Sequence, residues 1–117
     1  MYFKPYRFRP DRRGRAVILS EFGGYNLRMD GHCFNDADFG YKKFSDADAL
    51  WDAYERLIER EILPAIPRGL AATVYTQLTD VEDELNGLMT YDRRVVKLDE
   101  EKLARLNRRV REASPEE

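Results

Sequence analysis

Ala16-Val-Ile-Leu-Ser-Glu-Phe-Gly-Gly24 starts with four apolar residues in succession and ends on a glycine pair. Such a run reads as a β-strand buried on both faces, of the kind found in parallel sheets, covering about residues 16–20. Ser20 and Glu21 follow at once, and Gly23 and Gly24 break the run. A carboxylate at the carboxyl end of a buried strand, just ahead of a glycine turn, lies where α/β-barrel enzymes carry catalytic groups. Glu21 is therefore the first candidate for chemistry. The plainer reading is a polar strand terminus facing solvent.

The rest of the chain narrows the class. Its 117 residues suffice for one small domain with a modest core. Hydrophobic residues make up 43% and charged residues 36%, a composition typical of a soluble globular domain. A net charge of −2 argues against a general nucleic-acid binder. One cysteine, Cys33, excludes an intramolecular disulfide and points to a reducing, cytoplasmic setting. No apolar run approaches the roughly 18 residues of a membrane span, so no membrane partner is expected. The opening residues lack the apolar centre of a signal peptide.

Residues 1–15 form a basic, aromatic lead-in, with Lys4, Arg7, Arg9, Arg12, Arg13 and Arg15 against the single acid Asp11. Pro5 and Pro10 break any regular element there. Tyr2, Phe3, Tyr6 and Phe8 alternate with the basic residues and could stack on single-stranded nucleic acid. Packing of these rings on a neighbouring segment is the preferred reading, so nucleic acid is not an expected partner.

After the first strand comes a long connection without clear period, Phe22 to Phe44, read as a functional loop. A helix is predicted from near Ser45, with Ser45 and Asp48 standing as a capping box. Ala47, Leu50, Tyr54, Leu57 and Ile58 form its apolar stripe, widened by Trp51, and Pro64 and Pro67 end it. A second strand is predicted over Leu70 to Leu78, followed by an acidic loop closing on Asn86-Gly87. The last helix starts at Asp99 as N-cap, with Leu98 and Leu103 as a hydrophobic staple and Leu106 and Val110 extending the stripe. A frayed tail follows from residue 113. Strand, helix, strand, helix implies a parallel pair with a crossover helix. Two parallel strands do not make a free-standing sheet, and a closed eight-stranded barrel needs roughly 250 residues. The fold class predicted is α/β, a β-α-β-α unit of a partial (β/α)8 barrel over residues 16–112, with open edges that favour self-association.

With both strands in view, the chain resembles the carboxyl-terminal quarter of the catalytic barrel of glycoside hydrolase family 2, the β-galactosidase and β-glucuronidase family. Val17-Ile-Leu-Ser-Glu-Phe-Gly-Gly24 resembles the family's seventh strand with its nucleophilic glutamate. Val74-Tyr-Thr-Gln-Leu-Thr-Asp-Val-Glu82 and Asn86-Gly-Leu-Met-Thr-Tyr-Asp-Arg93 resemble the eighth strand and its following loop. Asp38-Phe-Gly-Tyr41 is similar to the aromatic loop after the seventh strand. The resemblance covers about residues 16–110.

This resemblance implies a retaining glycosidase acting on β-glycosidic bonds, with Glu21 as nucleophile and a carbohydrate as substrate. It also implies that the remaining barrel segments belong to a longer parent protein. The family's acid/base glutamate sits in an Asn-Glu pair on an earlier strand, and this chain contains no Asn-Glu pair. Asp80, Glu82 and Glu84 are poor substitutes because the family's partner comes from across the barrel mouth. The isolated chain is thus expected to be inactive. Tyr75 is expected to form a platform for a sugar or to pack inside the barrel. Gln77 and Asp80 would bond sugar hydroxyls or tie their own loop, while Phe39 and Tyr41 would line the rim or anchor the loop.

No metal and no cofactor are expected. His32 and Cys33 are the only histidine and cysteine and cannot form a zinc site, which takes three or four such ligands. Asp30, Asn35, Asp36 and Asp38 are read as a solvated acidic loop rather than a magnesium or sodium site. The competing function is a small oligomerising binding module whose basic, aromatic N-terminal arm holds nucleic acid or a protein partner. A homo-oligomer is expected if the segment exists alone.

Overall fold

The computed structural model describes residues 4–37 and 42–114. Two strands, β1 (Val17–Gly23) and β4 (Leu70–Thr76), pair in parallel. Helix α1 (Ala47–Leu57) lies between them in the chain, and α2 (Glu100–Glu112) follows the second strand. This is the strand–helix–strand–helix order expected from the sequence. A second, two-residue parallel ladder joins β2 (Tyr25–Asn26) to β3 (Lys42–Lys43), placing short regular elements in the Phe22–Phe44 connection where none was expected.

One core fills the space between the β1–β4 pair and the helices. Phe22 from β1, Leu70 from β4, Leu50, Trp51 and Tyr54 from α1, and Leu106 from α2 are all buried in it. Phe8 joins them from the lead-in, with the Arg68 guanidinium 5.3 Å from its ring centre. Half-buried Tyr6 donates its backbone N–H to Glu61 at 3.1 Å. These two rings of the lead-in therefore pack on the segment after α1.

The other face of the sheet is uncovered by the described residues. Ile18 is 58% exposed and Val74 54% exposed, and Ala72, the partner of Ile18, is exposed as well. This corrects the expectation of a strand buried on both faces. Each strand has one neighbour among the described residues, and the helices cover one side only.

Helix boundaries follow local chemistry. Asp46, rather than Ser45, caps α1: its Oδ1 accepts from the Ala49 N–H at 2.8 Å. Carboxylate and hydroxyl oxygens both serve as caps, and the carboxylate adds charge at the positive end of the helix. The helical path also outlasts the proline expected to end it. A π-helical turn, Ile58–Ile62, and a 3-10 turn, Leu63–Ala65, continue it past Pro64. Leu63 N–H reaches back to Ile58 O, and Pro64 then sits in the first turn of a new helical segment, where its missing N–H is tolerated. At α2 the expectation holds: Asp99 accepts from the Lys102 N–H at 3.0 Å, and Leu98 and Leu103 both meet the core.

Candidate functional site at the carboxyl ends of the parallel strands

Glu21 reaches its position through an irregularity in strand pairing. Leu19 lies opposite Thr73, and Phe22 lies opposite Tyr75, so β1 carries one more residue than β4 over this interval. In a regular strand, residues two apart share a face. Glu21 would then lie with Val17 and Leu19, which pack against the core. The extra residue resets the phase, as a β-bulge does. Phe22 turns into the core and Glu21 remains exposed at the strand's carboxyl end.

Immediately beyond, Gly23 has φ +100° and lies so close to the Tyr75 ring that a Cβ there would overlap it. Tyr75 meets Phe22 edge-to-face with ring centres 5.4 Å apart, and Tyr54 of α1 at 5.0 Å. It therefore packs on the helix side of the sheet, between strand and helix. Its hydroxyl is buried at the Tyr25 backbone without closing a hydrogen bond of ordinary geometry among the described residues. Burial pushes the phenol upward, with Tyr54 and Tyr25 nearby adding to the effect. Tyr54 is likewise pushed up to about 12 by burial.

Gln77 and Asp80 hold their own loop. The Gln77 side-chain amide donates to Asn86 Oδ1 at 3.1 Å and to Glu84 at 3.3 Å, and its backbone N–H bonds Asn86 O. Asp80 is fully buried: Oδ1 accepts from Gly87 N–H at 2.9 Å and from Lys97 Nζ at 2.7 Å. Of the two readings offered for this pair, tying the loop is the one whose hydrogen bonds are formed. Gly87 is required for the close approach, since a Cβ would overlap the backbone at Thr79 and Asp80. Asp80 Oδ2 and Asn86 Nδ2 remain buried with no hydrogen-bond partner among the described residues. Phe39 and Tyr41 lie outside the described residues, as does Asp38.

Lys97 was not singled out by the sequence, yet it is the centre of the loop assembly. Its ammonium donates to Leu27 O at 2.6 Å, Asp80 Oδ1 at 2.7 Å and Leu85 O at 2.9 Å. One buried charge thus ties the segment after β1 to the loop after β4. Burial pushes Lys97 down and Asp80 up, each against the pull of the other. The available signal was a lysine inside Val95-Val96-Lys97-Leu98, an apolar context in which a cation needs buried partners.

A second stitch joins the same two loops. His32 Nδ1 lies 2.8 Å from Asp92 Oδ2, while Asp92 Oδ1 accepts from Thr90 Oγ1 at 2.6 Å and from the Arg94 N–H at 3.1 Å. These contacts, Thr90 first and His32 next, hold the Asp92 carboxyl well below the usual range. His32 is thus a loop fastener. No group of three or more histidine, cysteine, aspartate or glutamate side chains is placed to hold a metal among the described residues. No helix among them is long and apolar enough to cross a membrane.

Glu21, near the end of β1, and both stitched loops beyond the strands lie toward the carboxyl ends of the parallel pair, where ligands gather in α/β folds. No model of a known protein family matches the chain, and no curated protein matches it significantly.

Proposed function

We propose that this chain is the part of a retaining β-glycosidase that carries the nucleophile, and that Glu21 is that nucleophile. The carrying observation is the phase shift in β1, which turns Glu21 out of the core at the carboxyl end of a parallel strand. The sequence resemblance supplies the reaction. A Glu21 carboxylate oxygen would attack the anomeric carbon and form a glycosyl ester as the bond to the leaving oxygen breaks. A second carboxyl group, about 5–5.5 Å away, would give its proton to that oxygen and later take one from the attacking water.

Two of the acids following β4 are engaged elsewhere. Asp80 is closed onto Lys97, and Glu84 accepts from Gln77. The acid/base group in this reading comes from strands outside the segment, which would complete a (β/α)8 barrel. Ile18, Ala72 and Val74 on the uncovered face support such a completion, because parallel sheets are ordinarily covered on both faces. The segment alone is expected not to turn over aryl β-glycosides.

The test is active-site labelling of the whole parent protein with 2-deoxy-2-fluoro-β-glycosyl fluorides of gluco and galacto configuration. Peptide mass spectrometry is expected to find the sugar on Glu21. An adduct on a different carboxylate overturns the assignment.

A further inference from the structure

Two exposed aromatic rings stand together on the loops that follow the parallel strands. Phe34 is 58% exposed and Tyr91 43% exposed, and their rings meet edge-to-face with centres 5.9 Å apart. They come from opposite sides of the His32–Asp92 stitch, two residues from His32 and one from Asp92. We propose that Phe34 and Tyr91 form a carbohydrate-binding platform for a hexopyranose unit, separate from the residue that carries the chemistry. The identity of the ligand rests on the glycosidase reading above; the existence of the platform rests on its own geometry.

That geometry is fixed before any ligand arrives. On the Tyr91 side, Thr90 N–H bonds Val95 O, Arg93 N–H bonds Thr90 O, and Thr90 and Asp92 bond each other through their side chains. On the Phe34 side, His32 N–H and Cys33 Sγ both donate to Met29 O, at 3.0 Å and 3.2 Å. The His32–Asp92 contact then locks one turn to the other. Rings held on rigid turns lose little conformational freedom on binding, which is how preorganised sites gain affinity.

The chemistry suits a sugar. An aromatic face is the negative end of a quadrupole and apolar in bulk, so it matches the C–H-rich face of a pyranose ring. Sugar hydroxyls need polar groups nearby, and the Tyr91 hydroxyl supplies one on the pair itself, with His32 and Arg93 two residues along the chain from Phe34 and Tyr91.

The experiment uses the whole 117-residue chain, with aromatic side-chain carbons labelled for NMR, titrated with methyl β-D-galactopyranoside and methyl β-D-glucopyranoside. The Phe34 and Tyr91 ring signals are expected to shift saturably at millimolar sugar. Phe34→Ala and Tyr91→Ala should each weaken binding about tenfold, the size of one aromatic contact, while Tyr91→Phe keeps most of it. Backbone amide spectra of each variant verify folding. Shifts confined to residues around Glu21 overturn the platform and leave the glycosidase reading standing. Ring shifts produced by single-stranded oligonucleotide and not by either sugar overturn the ligand class. Absence of any ring shift at millimolar sugar overturns the proposal, whatever fluorosugar labelling of Glu21 shows.

Discussion

Replacing Lys97 by methionine tests the loop assembly most directly. The ammonium has three acceptors within 2.9 Å, Leu27 O, Asp80 Oδ1 and Leu85 O, and both partners of the ion pair are fully buried. Methionine keeps most of the volume and removes the charge. Asp80 then retains one hydrogen bond, from Gly87 N–H, and Leu27 O loses the lysine as donor, whereas Leu85 O keeps the Leu27 N–H. A buried carboxylate stripped of its cation costs about 3–5 kcal/mol. That is a large share of the 5–15 kcal/mol that holds a typical domain together. Burial moves both groups toward their neutral forms, and each is held against that by the other. The double variant Lys97→Met/Asp80→Asn discharges the site and keeps an acceptor for Gly87. It should recover about 1–2 kcal/mol of the single-variant loss, a coupling normal for groups in direct contact. Urea unfolding followed by the fluorescence of Trp51, which is buried against Tyr54, measures all three proteins. A single-variant loss under about 1 kcal/mol, the range of ordinary surface changes, refutes the buried-clamp reasoning. So does a double variant no more stable than the single one.

Gly23→Ala should destabilise by about 2 kcal/mol or more, because it combines φ +100° with overlap on the Tyr75 ring; a change within about 0.5 kcal/mol in the same urea assay would contradict the close approach. Asp92 contributes to the pH dependence of stability on the acid side. Its folded-state pKa is lowered by Thr90 and His32, so its contribution is present above the unfolded value near pH 4 and is lost as pH falls through the lower folded value. Asp92→Asn should flatten the fall of stability between about pH 5 and pH 2, and an unchanged acid limb would remove Asp92 from the account.

The order of elements was legible because two signals were strong and local. The apolar runs at Val17–Leu19 and Leu70–Val74 mark strands, and the Leu50, Trp51, Tyr54 stripe marks a helix facing them. The cap at Asp99 was equally plain, since a carboxylate just ahead of Glu100 and Glu101 leaves few other readings. The helical continuation past Pro64 was hidden, because a proline ends one hydrogen-bond pattern and is tolerated at the start of another. The site was legible only in part. Glu21 stands out as a type and a position, but its side of the sheet depends on an extra residue that strand pairing alone reveals. Asp80 and Lys97 are seventeen residues apart, and nothing in the residues between them announces the ion pair. Tyr75 reads equally well as facing either layer until the packing of Phe22 and Tyr54 fixes it.

The polarity of the uncovered sheet face bears on how it could be completed. Ile18, Ala72 and Val74 give it apolar character, whereas Ser20 and Glu21 stand on β1 toward its carboxyl end. A second copy laid flat across that face would bury the apolar residues but also press an apolar layer onto Glu21. Taking a carboxylate out of water carries a desolvation cost that a few apolar contacts do not return. Strands added edgewise to β1 and β4 act differently. They curl the sheet around its apolar side, fill the interior with side chains in layers, and leave the carboxyl ends open to solvent and ligand. On the glycosidase reading proposed above, edgewise addition by further parallel strands is the completion that leaves Glu21 in contact with solvent. It would also leave Phe34 and Tyr91, on loops that follow the same ends, open to the sugar proposed for them.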